Sequence, residues 1–209
     1  MKIDINDIAY WMDAIRDEEN HQRYHMLESF WHGQLKSKVW LCEELPKVTH
    51  ATTNKIVIFG GWYGILATML FNSKLGVRNI RSIDIDPTCK EIALKMNKQY
   101  EIEERFTAVT ADMCEYEYTD DPHIVINTSC EHITQKQYDT WLDKVPNDTW
   151  IVVQSNNFVS HGEHINCSTS LKDFRWKAKI TREFYSGTLE LPKYDRYMII
   201  GRKDKKCIK

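Results

Sequence analysis

The chain has 209 residues, 42% hydrophobic and 28% charged, with a net charge of −2. That length allows one well-buried domain and leaves little room for a second full one. The near-neutral charge gives no footprint for nucleic acid or an anionic membrane surface, and no apolar run reaches the ~18 residues that span a bilayer.

Residues 1–50 read as an N-terminal helical cap. Apolar positions recur at helical spacing at Ile8, Trp11, Met12 and Ile15, then at Tyr24, Leu27, Phe30 and Trp31. Most of these aromatics are expected to be core contacts, with Lys38 and Tyr24 as lesser candidates for reaching a substrate. Residues 51–209 read as a single α/β domain. Five short β-branched runs follow Pro46: IVIF (56–59), NIRSID (79–84), FTAVT (106–110), HIVIN (123–127) and WIVVQ (150–154). Helical segments are expected between them. One starts at Asp86-Pro87, where Asp caps and Pro fits the first turn. Another starts at Thr134, with Gln137 at capping-box spacing. Strands alternating with helices imply a mostly parallel sheet covered on both faces. The end differs: KITREFYSGTLEL (179–191) and RYMIIGR (196–202) are joined only by PKYD, too short for a crossover helix, so they must pair antiparallel.

The first strand runs into Gly60-Gly61-Trp62-Tyr63-Gly64, at the carboxyl edge where open α/β sheets bind ligands. Glycines there permit positive φ and close backbone approach, and a following helix N-terminus favours a negative group. Twenty residues after Gly64, Asp84 ends the second strand, and a carboxylate there can accept from both ribose hydroxyls. The third strand leads to Ala111-Asp112-Met113, where a second carboxylate suits an adenine amino group.

The turn GGWYG, the strand end SIDIDP, the loop TADM and the closing hairpin together resemble a class I S-adenosylmethionine-dependent methyltransferase over about residues 54–203. The resemblance implies a Rossmann-like seven-stranded sheet whose last strand is antiparallel. It implies Gly60, Gly61 and Gly64 against the methionine part of S-adenosylmethionine. Asp84 would then hold the ribose, and Asp112 with Met113 the adenine. Trp62, Tyr63, Ile85 and Asn127 join this cofactor group. An aromatic face beside a sulfonium is one use for Trp62 and Tyr63, and packing under the N-terminal helices is the other. Two positions depart from the family pattern. Ile58 stands where an acidic residue is common, and Trp62 stands where the middle glycine of GxGxG falls. Either the turn is shifted by one residue or the methionine moiety is held differently.

Strand four ends in Asn127-Thr128-Ser129-Cys130-Glu131-His132. It lacks the prolines and aromatic of the [N/D]PP[F/Y] motif of exocyclic-amine methylases, which argues against a nucleic-acid substrate. A carboxylate and an imidazole here make Glu131 and His132 candidate proton acceptors, with bracing of the next helix as the alternative. Ser129, Cys130, Gln154, Asn156, Asn157, His161 and His164 are candidate contacts to a polar substrate. His161-x-Glu163-His164 with Cys167 matches no closed zinc pattern, so no metal is expected.

The expected activity is methyl transfer from S-adenosylmethionine to a small polar molecule. Alternatives are a non-methylating use of the same cofactor (aminopropyl transfer, cleavage or cyclisation) and a non-catalytic nucleoside-binding fold. An NAD-type fingerprint would need glycine at Phe59. The six cysteines form no CxxC pair, the N-terminus is too polar for a signal peptide, and a cytoplasmic location is expected. The basic GRKDKKCIK end carries no CaaX signal, because Cys207 is third from the end.

Overall fold

A computed structural model describes residues 2–49, 54–119 and 121–203. The expected boundary at 50/51 and Cys207 lie outside the described residues. The strands form one seven-stranded sheet in the order β3-β2-β1-β4-β5-β7-β6, and the chain divides into two compact units, Met1–Asp112 and Met113–Lys209.

In the first unit, α1 (Ile5–Asp17), α2 (Asn20–Glu28) and α3 (His32–Val48) precede β1 (Asn54–Phe59). Then come α4 (Ile65–Phe71), β2 (Val77–Asp84), α5 (Pro87–Met96), α6 (Lys98–Ile102) and β3 (Phe106–Thr110). β1, β2 and β3 run parallel. The interior of β1 is buried on both sides, which is why it reads as an unbroken apolar run. Asp4 caps α1 and Asp86 caps α5, with Pro87 in its first turn. The N-terminal helices dock through buried polar contacts as well as apolar ones. Asp7 accepts from Asn72 Nδ2 at 2.7 Å and from the Tyr100 hydroxyl at 3.0 Å, while Trp11 Nε1 donates to Thr68 Oγ1 at 3.4 Å.

In the second unit, β4 (Ile124–Asn127) leads through a 3₁₀ turn (Cys130–His132) to α7 (Gln135–Lys144). Next are β5 (Trp150–Asn156), α8 (Leu171–Ala178), β6 (Arg182–Glu190) and β7 (Asp195–Arg202). β4 and β5 are parallel, whereas β7 pairs antiparallel with both β5 and β6. The closing hairpin is therefore present, and its register sets Asn156 opposite Arg196. α7 begins with the full capping box, Thr134 and Gln137 each satisfying the other's backbone N–H. Trp141, Phe174, Val152 and Ile200 anchor this unit's core.

Candidate functional site

The glycine turn of the first unit is held by the end of β2. Trp62 donates its backbone N–H to Asp84 Oδ2 at 2.8 Å, and Asp86 N–H donates to Oδ1 at 3.1 Å. Gly60, Trp62 and Gly64 all have positive φ, at 62°, 48° and 77°. The turn thus keeps a glycine-like path through Trp62, a conformation that a side chain adopts only at a cost. The Asp84 hydrogen bond and a stacked Tyr63 ring at 5.0 Å help hold it there. Gly61 is closely packed for another reason: a Cβ on it would lie 1.9 Å from Ser82 Oγ and 3.2 Å from Ser82 Cβ on β2, so a side chain there would force Ser82 to move. Tyr63 is a packing residue. It is buried, its hydroxyl accepts from Gln22 Nε2 at 2.8 Å, and burial pushes its phenol up to about 12. Ile85 is exposed and Asp112 half-buried beyond the ends of β2 and β3.

In the second unit the polar run after β4 is mostly buried. Asn127 is fully buried, accepting from Ser129 N–H at 3.0 Å and donating to Met113 Sδ at 3.7 Å. Cys130 is buried, and burial pushes its thiol well up, so it is a packing group and not a nucleophile. Glu131, only 2% exposed, is clamped through Oε1 by the Arg196 guanidinium and by Asn156 Nδ2 at 2.7 Å. Among the described residues its Oε2 has no hydrogen-bond partner. Arg196 also donates to the Thr128 carbonyl, so one β7 guanidinium fastens the whole strand-four end.

His132 stands exposed at the end of this turn. The loop after β5 brings His164 to it, with ring centroids 4.7 Å apart, and His161 stacks on His164 at 4.4 Å. His164 Nδ1 lies 2.9 Å from the Phe158 carbonyl, which fixes that nitrogen as the N–H and leaves Nε2 as an acceptor. Burial lowers the His164 pKa, against the raising effect of the Phe158 carbonyl and Glu131. The Glu131 backbone carbonyl accepts from Ile165 and Asn166 N–H, pinning the loop. Ligand atoms of Glu131, His132 and His164 lie within 4.8 Å of one another, a grouping that can hold a metal ion.

Of the expected substrate contacts, Asn156, His161 and His164 gather with Glu131 and His132. Gln154 and Asn157 are engaged elsewhere: Gln154 is buried against Met198 and Arg196, and Asn157 exchanges hydrogen bonds with Asp195. Arg196 was absent from the expected residues. Its signal in the sequence is faint, a lone arginine heading the apolar RYMIIG run.

No protein-family model and no curated protein matches the sequence. Solved structures do match. The chain has the fold of the class I S-adenosylmethionine-dependent methyltransferases. The N-methyltransferase NodS from Bradyrhizobium japonicum WM9, in complex with S-adenosyl-l-homocysteine, has a TM-score of 0.68 at 9% identity, covering 94% of this chain and 99% of its own. A putative sarcosine dimethylglycine methyltransferase from Galdieria sulphuraria has a TM-score of 0.64 at 14% identity, covering 91% and 90%. A geranyl diphosphate methyltransferase in complex with its diphosphate and sinefungin has a TM-score of 0.64 at 8% identity, covering 81% and 78%.

Proposed function

We propose that the protein is a methyltransferase that uses S-adenosylmethionine to methylate a small polar molecule. The observation that carries this reading is Asp84. On a methyltransferase sheet it stands at the end of β2 and fastens the glycine turn through one lone pair of Oδ2. A carboxylate oxygen has a further lone pair, so acceptor capacity for a ribose hydroxyl remains. NodS is similar in fold over nearly its whole length and binds S-adenosyl-l-homocysteine, which supports the same cofactor class here. In this reading Gly60, Gly61, Trp62, Gly64, Ile85, Asp112, Met113 and Asn127 serve the cofactor, while Tyr63, expected in the same group, packs beneath the turn. The acceptor belongs to the second unit, with Ser129, Asn156, His161 and His164 as contacts.

Methyl transfer is an in-line displacement, so alignment and exclusion of water supply most of the rate. The remaining chemistry is removal of a proton from an amine or hydroxyl acceptor. Glu131 is poorly free for this, because Arg196 and Asn156 already occupy Oε1. His132 has no such clamp and is the better proton acceptor. The test is a melting curve with S-adenosylmethionine or S-adenosylhomocysteine, followed by mass spectrometry of the nucleoside product. A ligand at 100 times its dissociation constant adds ~2.7 kcal/mol of stability. S-adenosylhomocysteine as product supports methylation, whereas methylthioadenosine would move the reaction to another bond of the same cofactor. No shift with either ligand would remove the assignment.

A further inference from the structure

We propose that Glu131, His132 and His164 form a binding site for a divalent transition-metal ion with open coordination positions. No zinc-type spacing in the sequence announces it, since the ligands come from the turn after β4 and the loop after β5. Three observations on the second unit converge.

The first is an orphaned oxygen. Glu131 is 2% exposed, yet among the described residues Oε2 has no hydrogen-bond partner while Oε1 has two. A buried, unpartnered carboxylate oxygen is costly, and a cation beside it removes the cost. The second is the way neighbouring groups orient the ligands. His164 turns Nδ1 to the Phe158 carbonyl at 2.9 Å, the arrangement by which a histidine is oriented to ligate through Nε2. Glu131 is oriented in the same way by Arg196 and Asn156. The third is proximity. The three ligand atoms lie within 4.8 Å of one another, and ligands of a tetrahedral ion at ~2.1 Å stand ~3.4 Å apart, so modest side-chain rotation closes the set.

Two imidazoles and one carboxylate suit zinc or iron(II) and leave positions for water or substrate. Glu131 is buried, His164 half-buried and His132 exposed, so the site is open on the His132 side. His161, stacked on His164, flanks it. Resting on the methyl-transfer reading, the ion's use is to bind an acceptor hydroxyl and lower its pKa so that the proton leaves to solvent; His132 is then a ligand, and its role as proton acceptor belongs to the metal-free site.

The experiment is Co²⁺ and Zn²⁺ titration of the chelator-treated full chain, without S-adenosylmethionine. Calorimetry gives stoichiometry, and the Co²⁺ visible spectrum reports coordination. One ion per chain is expected, with nitrogen-ligand bands. His132→Ala and His164→Ala should each weaken binding by more than the ~10–100-fold that an outer-shell loss causes. Both positions are solvent-accessible enough to leave the fold intact, which melting curves check. His123→Ala, on an exposed histidine before β4, should change nothing. Absence of binding at millimolar metal, or binding unaltered in both variants, overturns the site. Cofactor binding is measured separately, so failure of either idea leaves the other standing.

Discussion

The Oδ2 oxygen of Asp84 accepts the backbone N–H of Trp62 at 2.8 Å, so the carboxylate we propose for a ribose also fastens the glycine turn. Trp62 has φ 48°, and the bond to Asp84 helps hold this left-handed residue in place. Asp84→Ala should therefore do two things. It should weaken S-adenosylhomocysteine binding by ~1.5–3 kcal/mol, roughly ten- to a hundredfold. It should also lower stability by about 1 kcal/mol, the net value of an ordinary hydrogen bond. Calorimetry and urea unfolding read the two effects apart. An unchanged dissociation constant would mean that the carboxylate serves the turn alone.

Asp7 gives a pH prediction. Burial raises its carboxyl pKa above the ordinary 3.8, against the lowering effect of Asn72 and Tyr100. The folded state then holds this proton to higher pH than the unfolded state. Stability contributed here is full below pH 3.8, falls as pH rises through the window up to the raised value, and stays lower above it. Asp7→Asn removes the buried charge and keeps an acceptor for Asn72 and Tyr100. Its melting temperature relative to the parent should improve as pH rises from 3.5 to 7, with the gain falling inside the window between 3.8 and the raised pKa. A difference independent of pH would show that the charge is not penalised.

The sheet was legible because each strand is a short apolar run bounded by turn residues, and α7 because its capping box is local. The anomaly at Trp62 was legible too, but its resolution was not. The φ of 48° and the bond to Asp84 depend on a residue 22 positions away. The ion pair between Glu131 and Arg196 lies further out of reach: 65 positions separate the partners, and only the antiparallel register of β7 on β5 sets Arg196 opposite Asn156. Glu131 therefore looked like a free carboxylate in the sequence. The meeting of His132 with His164 depends likewise on a loop pinned by the Glu131 carbonyl.

The Glu131–Arg196 pair is nearly fully buried, with side-chain exposures of 3% and 5%. Removing one partner leaves an uncompensated buried charge, a loss of ~3–5 kcal/mol. Arg196→Met should show this in urea unfolding. Adding Glu131→Leu to it should recover much of the loss, because the isolated charge is gone. Additive losses in the double variant would mean that the two residues act independently.

His132 remains the test of chemistry. As a brace for α7 it is superfluous, since Thr134 and Gln137 already satisfy the helix start. Its ring is exposed, and its own backbone N–H merely closes the turn onto the Ser129 carbonyl at 3.0 Å. His132→Ala should thus leave the melting temperature and S-adenosylhomocysteine affinity nearly unchanged. Turnover should fall by ~10²–10⁴, the range for losing a positioned proton acceptor. Asn156→Ala is a different kind of variant, because Asn156 supports Glu131; it should lower stability as well as raise KM for the acceptor. If His132→Ala keeps full turnover in steady-state assays with product identified, proton removal belongs to another group. His164, whose Nδ1 is turned to the Phe158 carbonyl and whose Nε2 is left as an acceptor, is then the next candidate.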